Sequence, residues 1–92
     1  MTQPLYDDLL VALIDQWLDT LPPKGICGCQ RDVYARLGEF AGADAVRDWW
    51  PEDPGILRRR LMANEKSLAE VWIYVDAWFD KNVGFKIGLV RW

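Results

Sequence analysis

The sequence predicts a mainly α-helical domain that ends in a β-hairpin, and three observations carry the prediction. Apolar residues recur at helical spacing through the first two thirds of the chain. Proline or glycine interrupts that pattern at Pro22-Pro23, Gly42, Pro51 and Pro54. From Val71 the composition turns β-branched and aromatic, and two such runs flank Asp80-Lys81-Asn82-Val83-Gly84, a cluster of turn-forming residues. The 92 residues are just over half hydrophobic and include six tryptophans, enough apolar surface for one compact domain over residues 1–92.

Residues 1–21 hold the first helix. Placed at ~100° per residue, Leu5, Tyr6, Leu9, Leu10, Leu13, Ile14, Trp17 and Leu18 form a broad apolar arc, while Asp8, Asp15 and Asp19 share the narrow remaining side. The arc is wider than a surface helix needs, so this helix is either deeply embedded or shared with a partner, and a homodimer is one arrangement it allows. Pro22-Pro23 ends it, because proline lacks the N–H and clashes with the preceding turn. Lys24 to Cys29 reads as a glycine-bearing connector.

Residues 30–50 form a helix-turn region. Gln30 to Phe40 spaces Val33, Tyr34, Leu37 and Phe40 as a helix, and Ala41-Gly42-Ala43 interrupts it. Asp44 is the expected N-cap of a short helical turn through Ala45, Val46, Trp49 and Trp50, closed by Pro51. Trp49 and Trp50 are expected in the core, which in so small a domain needs large side chains. An exposed aromatic patch is the alternative.

Asp53 before Pro54 is a strong helix start, a capping carboxylate followed by proline at the first helical position. The helix is expected over residues 54–69. Leu57, Leu61 and Leu68 with Asn64 form its inner stripe; Gly55, Arg59, Met62, Ala63 and Lys66 lie outside, with Arg58 and Arg60 on the flanks. Residues 71–91 then make a two-stranded hairpin. Its first strand runs from Val71 to Phe79, and Phe85, Ile87 and Leu89 alternate with Lys86, Gly88 and Val90 in the second. An isolated hairpin is marginal in water, so it is expected to pack on the helices through Trp72, Trp78 and Trp92. Three or four helices followed by a two-stranded wing is the layout of a winged helix, a helix-turn-helix variant.

The net charge of −3 is unevenly placed. Residues 1–53 hold four basic and ten acidic side chains, residues 54–92 seven basic and four acidic, which predicts one basic face on an acidic body. No stretch reaches the ~20 apolar residues of a membrane span and no signal peptide is evident, so the expectation is a cytoplasmic protein without membrane contact. Cys27-Gly28-Cys29 is too tight for an easy disulfide, and without histidine it does not make a metal site. No nucleophile–base pair, carboxylate pair or phosphate loop stands out, so neither an enzyme nor a cofactor is expected.

Asp32-Val33-Tyr34-Ala35-Arg36-Leu37, Trp50-Pro51-Glu52-Asp53-Pro54, Leu57-Arg58-Arg59-Arg60-Leu61 and the hairpin ending Lys86-Ile87-Gly88-Leu89 together resemble a known group. They are similar to the small winged-helix domains at the ends of primase–helicase-type proteins of phages and mobile elements. The resemblance covers roughly residues 30–90 and rests on a short motif, Trp-Pro followed by Pro54 and the leucine–arginine run, which in those domains opens the recognition helix. The chain departs from them in carrying no P-loop and in being less basic. Acidic winged helices also occur among small phage proteins that act on other proteins, including anti-CRISPR inhibitors.

Two functions from different classes follow as expectations. The first is double-stranded DNA binding through the helix from Pro54 and the wing, with Arg58, Arg59, Arg60, Lys66, Lys81, Asn82 and Lys86 as contacts. Arginine forks match phosphates and guanine edges, and a wing can reach the flanking backbone. The second is a protein-binding inhibitor of a host nucleic-acid-handling complex. It would act through Asp7, Asp8, Asp15 and Asp19, an acidic stripe spaced like a phosphate row.

Overall fold

The structure is a computed structural model that describes residues 4–46 and 48–91, and for residues 4–7, 44 and 46 the backbone alone. Helix α1 spans Pro4–Asp19. Its side chains Leu10, Leu13, Ile14, Trp17 and Leu18 are buried in the domain's own core, while Leu9 is exposed and the side chains of Leu5 and Tyr6 lie outside the described residues. The helix unwinds before the prolines: the Thr20 and Leu21 amides donate to the Trp17 and Leu18 carbonyls, and the Thr20 hydroxyl also donates to Trp17.

The segment read as a connector contains a strand. Strand β1 (Ile26–Cys29) pairs antiparallel with the last strand, Ile26 opposite Leu89 and Cys29 opposite Lys86. Gly25 makes that pairing possible. Its φ is +74°, and a Cβ there would lie 2.0 Å from the Leu89 carbonyl oxygen, so only glycine lets the chain turn this close to the sheet.

Helix α2 (Gln30–Ala41) follows without a break and buries Val33 and Leu37. Gly42, at φ +58°, ends it and opens a 3-10 turn over Gly42–Val46. Asp44 therefore lies inside that turn and is not its N-cap, and the turn stops before the tryptophans. Trp50 is a core residue, as expected: its indole N–H donates to the Tyr34 hydroxyl at 3.1 Å, and that hydroxyl donates to the Pro51 carbonyl at 2.7 Å.

Helix α3 (Pro54–Ala63) starts as the sequence predicts, with the Asp53 carboxylate accepting from the Ile56 amide at 2.9 Å. It does not run on to residue 69. Asn64 interrupts it: its side-chain amide donates to the Arg60 carbonyl at 2.8 Å, and its backbone N–H reaches Arg60 and Leu61. A separate helix, α4 (Glu65–Glu70), buries Leu68. Asparagine competes with the helical ladder through exactly such local bonds, which periodicity alone does not register.

Val71 and Trp72 belong to a turn, with Trp72 at φ 65°, so strand β2 begins later, at Ile73, and runs to Asp80. Strand β3 (Gly84–Arg91) returns beside it. The sheet has three antiparallel strands in the order β1-β3-β2, where the sequence predicts two, because β1 joins the hairpin on its other side. One face, with Ile26, Ile73, Val75, Ile87 and Leu89, is buried against the helices. The hairpin thus packs through its β-branched and leucine side chains. Trp72 and Trp78 are exposed instead, and Trp92 lies outside the described residues. The result is an α+β domain with its helices on one face of a small sheet. Among the described residues no helix is long and apolar enough to cross a membrane.

Candidate functional site

The seven residues expected to contact DNA divide into three groups. Arg58 and Arg60 are drawn into the fold. The Arg58 guanidinium donates to Gln30 Oε1 at 3.1 Å and lies 3.7 Å from the centre of the Phe85 ring, so it joins α2, α3 and β3. Arg60 donates to the Trp49 carbonyl at 2.7 Å, holding the loop before α3 against the helix. Both flank the helix, as the wheel requires: Arg58 meets a glutamine and an aromatic ring, and Arg60 donates to a backbone carbonyl.

Arg59, Lys66 and Lys81 form the second group and are exposed. The break at Asn64 puts Lys66 on α4, not on the helix that carries the arginines. Lys86 and Asn82 form the third group. The Lys86 ammonium is 3.8 Å from Asp80 Oδ2, and Asp80 Oδ1 also accepts from the Asn82 amide at 2.8 Å. One carboxylate at the base of the turn therefore offsets part of the hairpin's positive charge.

The hairpin end itself is apolar. Strand β1 stops opposite Lys86, so the last rungs, Phe79 with Phe85 and Asp80 with Gly84, are only two strands wide. Phe79 and Phe85 continue the inward-facing row past the edge of the helical layer. They meet edge to face with ring centres 5.2 Å apart, yet Phe79 is 63% and Phe85 40% exposed, and Val83 in the turn is 51% exposed. Sequence periodicity assigned Phe85 to the buried side of its strand. Counting rungs outward from the turn would have found the Phe79–Phe85 pair, but how far the helices reach along the sheet is a tertiary fact. Gln30, which holds Arg58, carries no comparable sequence signal.

The acidic stripe on α1 is also partly committed. Asp15 Oδ1 accepts from Arg91 at 2.6 Å and Asp19 from the same guanidinium at 3.1 Å, while Arg91 also donates to the Asp15 and Val71 carbonyls. Arg91 on β3 thus ties the last strand to the first helix. Asp8 is exposed and the Asp7 side chain lies outside the described residues. Cys27 and Cys29 are free thiols on the outward side of β1. Among the described residues no three acidic, cysteine or histidine side chains are gathered so as to hold a metal ion. No family model, curated protein or solved structure matches this chain.

Proposed function

We propose that the chain is a non-catalytic binding protein of the winged-helix type, and that it engages another protein through its hairpin end and the adjoining arginines of α3. The observation that carries this reading is the exposed Phe79–Val83–Phe85 cluster with Arg58 stacked on it. A wing that follows a phosphate backbone presents cations and hydrogen-bond donors. This one presents two phenylalanines and a valine, and Asp80 offsets its Lys86. Aromatic side chains and arginine dominate the energetic centres of protein interfaces, where charged side chains other than arginine are sparse.

The helix and strand order supports the winged-helix reading, since the helices are followed by a C-terminal hairpin whose second strand is also paired by β1. Taken with the resemblance to phage and mobile-element domains, the fitting partner class is a host complex that handles nucleic acid. Asp15 and Asp19 contribute less to such a contact than a bare stripe would, because Arg91 already holds them.

Duplex DNA is the second reading, favoured by the exposure of Arg59, Lys66 and Lys81. Anisotropy of a labelled duplex at low salt separates the two. The protein-binding reading expects no association that rising salt releases. Association that falls with salt and is abolished by Arg59→Glu would establish the DNA reading and overturn the first.

A further inference from the structure

The face of the sheet turned away from the helices carries a groove of about 250 Å³ that neither reading above uses. Its floor is the backbone around Gly88 on the central strand, flanked by Asp76 of β2 and Cys27 of β1 on the same rung. Tyr74 and Trp78 stand two residues either side of Asp76, so all three project to this face. The Trp78 ring leans along the sheet toward the middle rung: a Cβ on Gly88 would be 3.4 Å from its Cζ3 and 3.7 Å from its Cη2. The indole thus lies over Gly88, beside the Asp76–Gly88 rung, with Trp78 still 38% exposed.

The charges facing the groove are few. Asp76 is exposed, its Oδ1 accepts from the Ala77 amide at 2.9 Å, and no described cation pairs with it. Lys86 shares this face but is held toward the hairpin end by Asp80, and Lys24 stands at the groove's other end. An anionic group beside a partly exposed aromatic ring has the chemistry of a site for a flat cation. Guanidinium fits better than ammonium, because it stacks on an indole while its N–H fork meets a carboxylate.

We propose that this open sheet face is a docking groove for an arginine side chain carried on an extended segment of a partner protein, held between the Asp76 carboxylate and the Trp78 ring. Charge complementarity decides the occupant: Asp76, in the middle of the groove beside the Trp78 ring, has no described cation paired with it, and Lys24 stands at the far end. The site is separate from the hairpin end, so the two stand or fall independently.

The test is a heteronuclear NMR titration of the full chain with an acetylated, amidated glycine peptide bearing one central arginine. Shifts are expected at the amides of Asp76 and Gly88 and at the Trp78 indole N–H. Asp76→Asn keeps the acceptor for the Ala77 amide and removes only the charge, and should weaken binding roughly fivefold, as should Trp78→Leu. The lysine counterpart should bind more weakly, and Phe79→Ser should leave the titration unchanged. The proposal is overturned if the arginine peptide moves none of these resonances, or if Asp76→Asn binds it as well as the unaltered chain. It is also overturned if the shifts follow protein concentration instead of peptide, which would mark a second copy as the occupant.

Discussion

Gly25 shows how one residue decides whether the sheet closes. It combines a left-handed backbone with an approach to Leu89 that leaves no space for a methyl group, whereas Gly28, three residues on in β1, has nothing within 4 Å of where a Cβ would sit. Gly25→Ala should therefore cost about 2–4 kcal/mol, from left-handed strain plus displacement of β1 from β3. Gly28→Ala should stay within about 0.5 kcal/mol of the unaltered chain, or stabilise it by narrowing the unfolded ensemble. Urea unfolding of the two variants checks the contrast, and equal midpoints would contradict it. Composition shows two similar glycines in one connector; only the path of β3, more than sixty residues away, tells them apart.

Among the elements, the start of α3 was the most legible because it is local chemistry, whereas its end at Ala63 was not. Asp53 and Pro54 are adjacent in sequence and act on the next turn, so capping needs no tertiary contact. Strand β1 was the least legible: four residues, two of them cysteine and one glycine, whose partners come from the chain's far end. Arg91 then joins β3 to α1 through both Asp15 and Asp19 and caps the Val71 carbonyl. Arg91→Ala should cost about 1.5–3 kcal/mol, the range for hydrogen bonds to charged groups. Arg91→Lys should recover only part of this, since a lysine cannot fork across two carboxylates and two carbonyls. Hydrogen exchange would show faster opening at the C-terminal end of α1 in Arg91→Ala; an unchanged rate there would mean that the contact contributes no stability.

For the molecule as a whole, the radius of gyration is 12.2 Å, close to the roughly 12 Å expected of a compact domain of this length. One face of the sheet is spent on the core and the other is open, while the hairpin end extends past the helices on the core side. Most of the exposed large apolar side chains among the described residues collect at the sheet and hairpin: Trp72, Tyr74, Trp78, Phe79, Val83 and Phe85 lie between residues 72 and 85, while Leu9 and Phe40 stand apart on α1 and α2. Phe79→Ser combined with Phe85→Ser should cost about 1 kcal/mol, chiefly the ring pair and the Arg58 stack. It should also lower apolar-dye binding by the folded protein while far-ultraviolet circular dichroism stays unchanged. Dye binding that persists would place the main exposed apolar surface elsewhere.

What the sequence determined by itself was whatever depends on neighbours a few residues apart. This includes the helical periods of α1 and α2, the Asp53–Pro54 start of α3, the hairpin turn around Asn82 and the core positions Trp50, Ile87 and Leu89. The tertiary structure decided where each charge and ring is spent. Arg58 and Arg60 lie on a helix that reads as a basic face, yet they serve Gln30, Phe85 and the Trp49 carbonyl. Asp15 and Asp19 form a stripe on a wheel, yet they hold Arg91 from the far end of the chain. A wheel or a strand alternation specifies a direction from the element's axis. Which group waits in that direction depends on chain segments tens of residues away, and that is set only when the sheet and the helices pack.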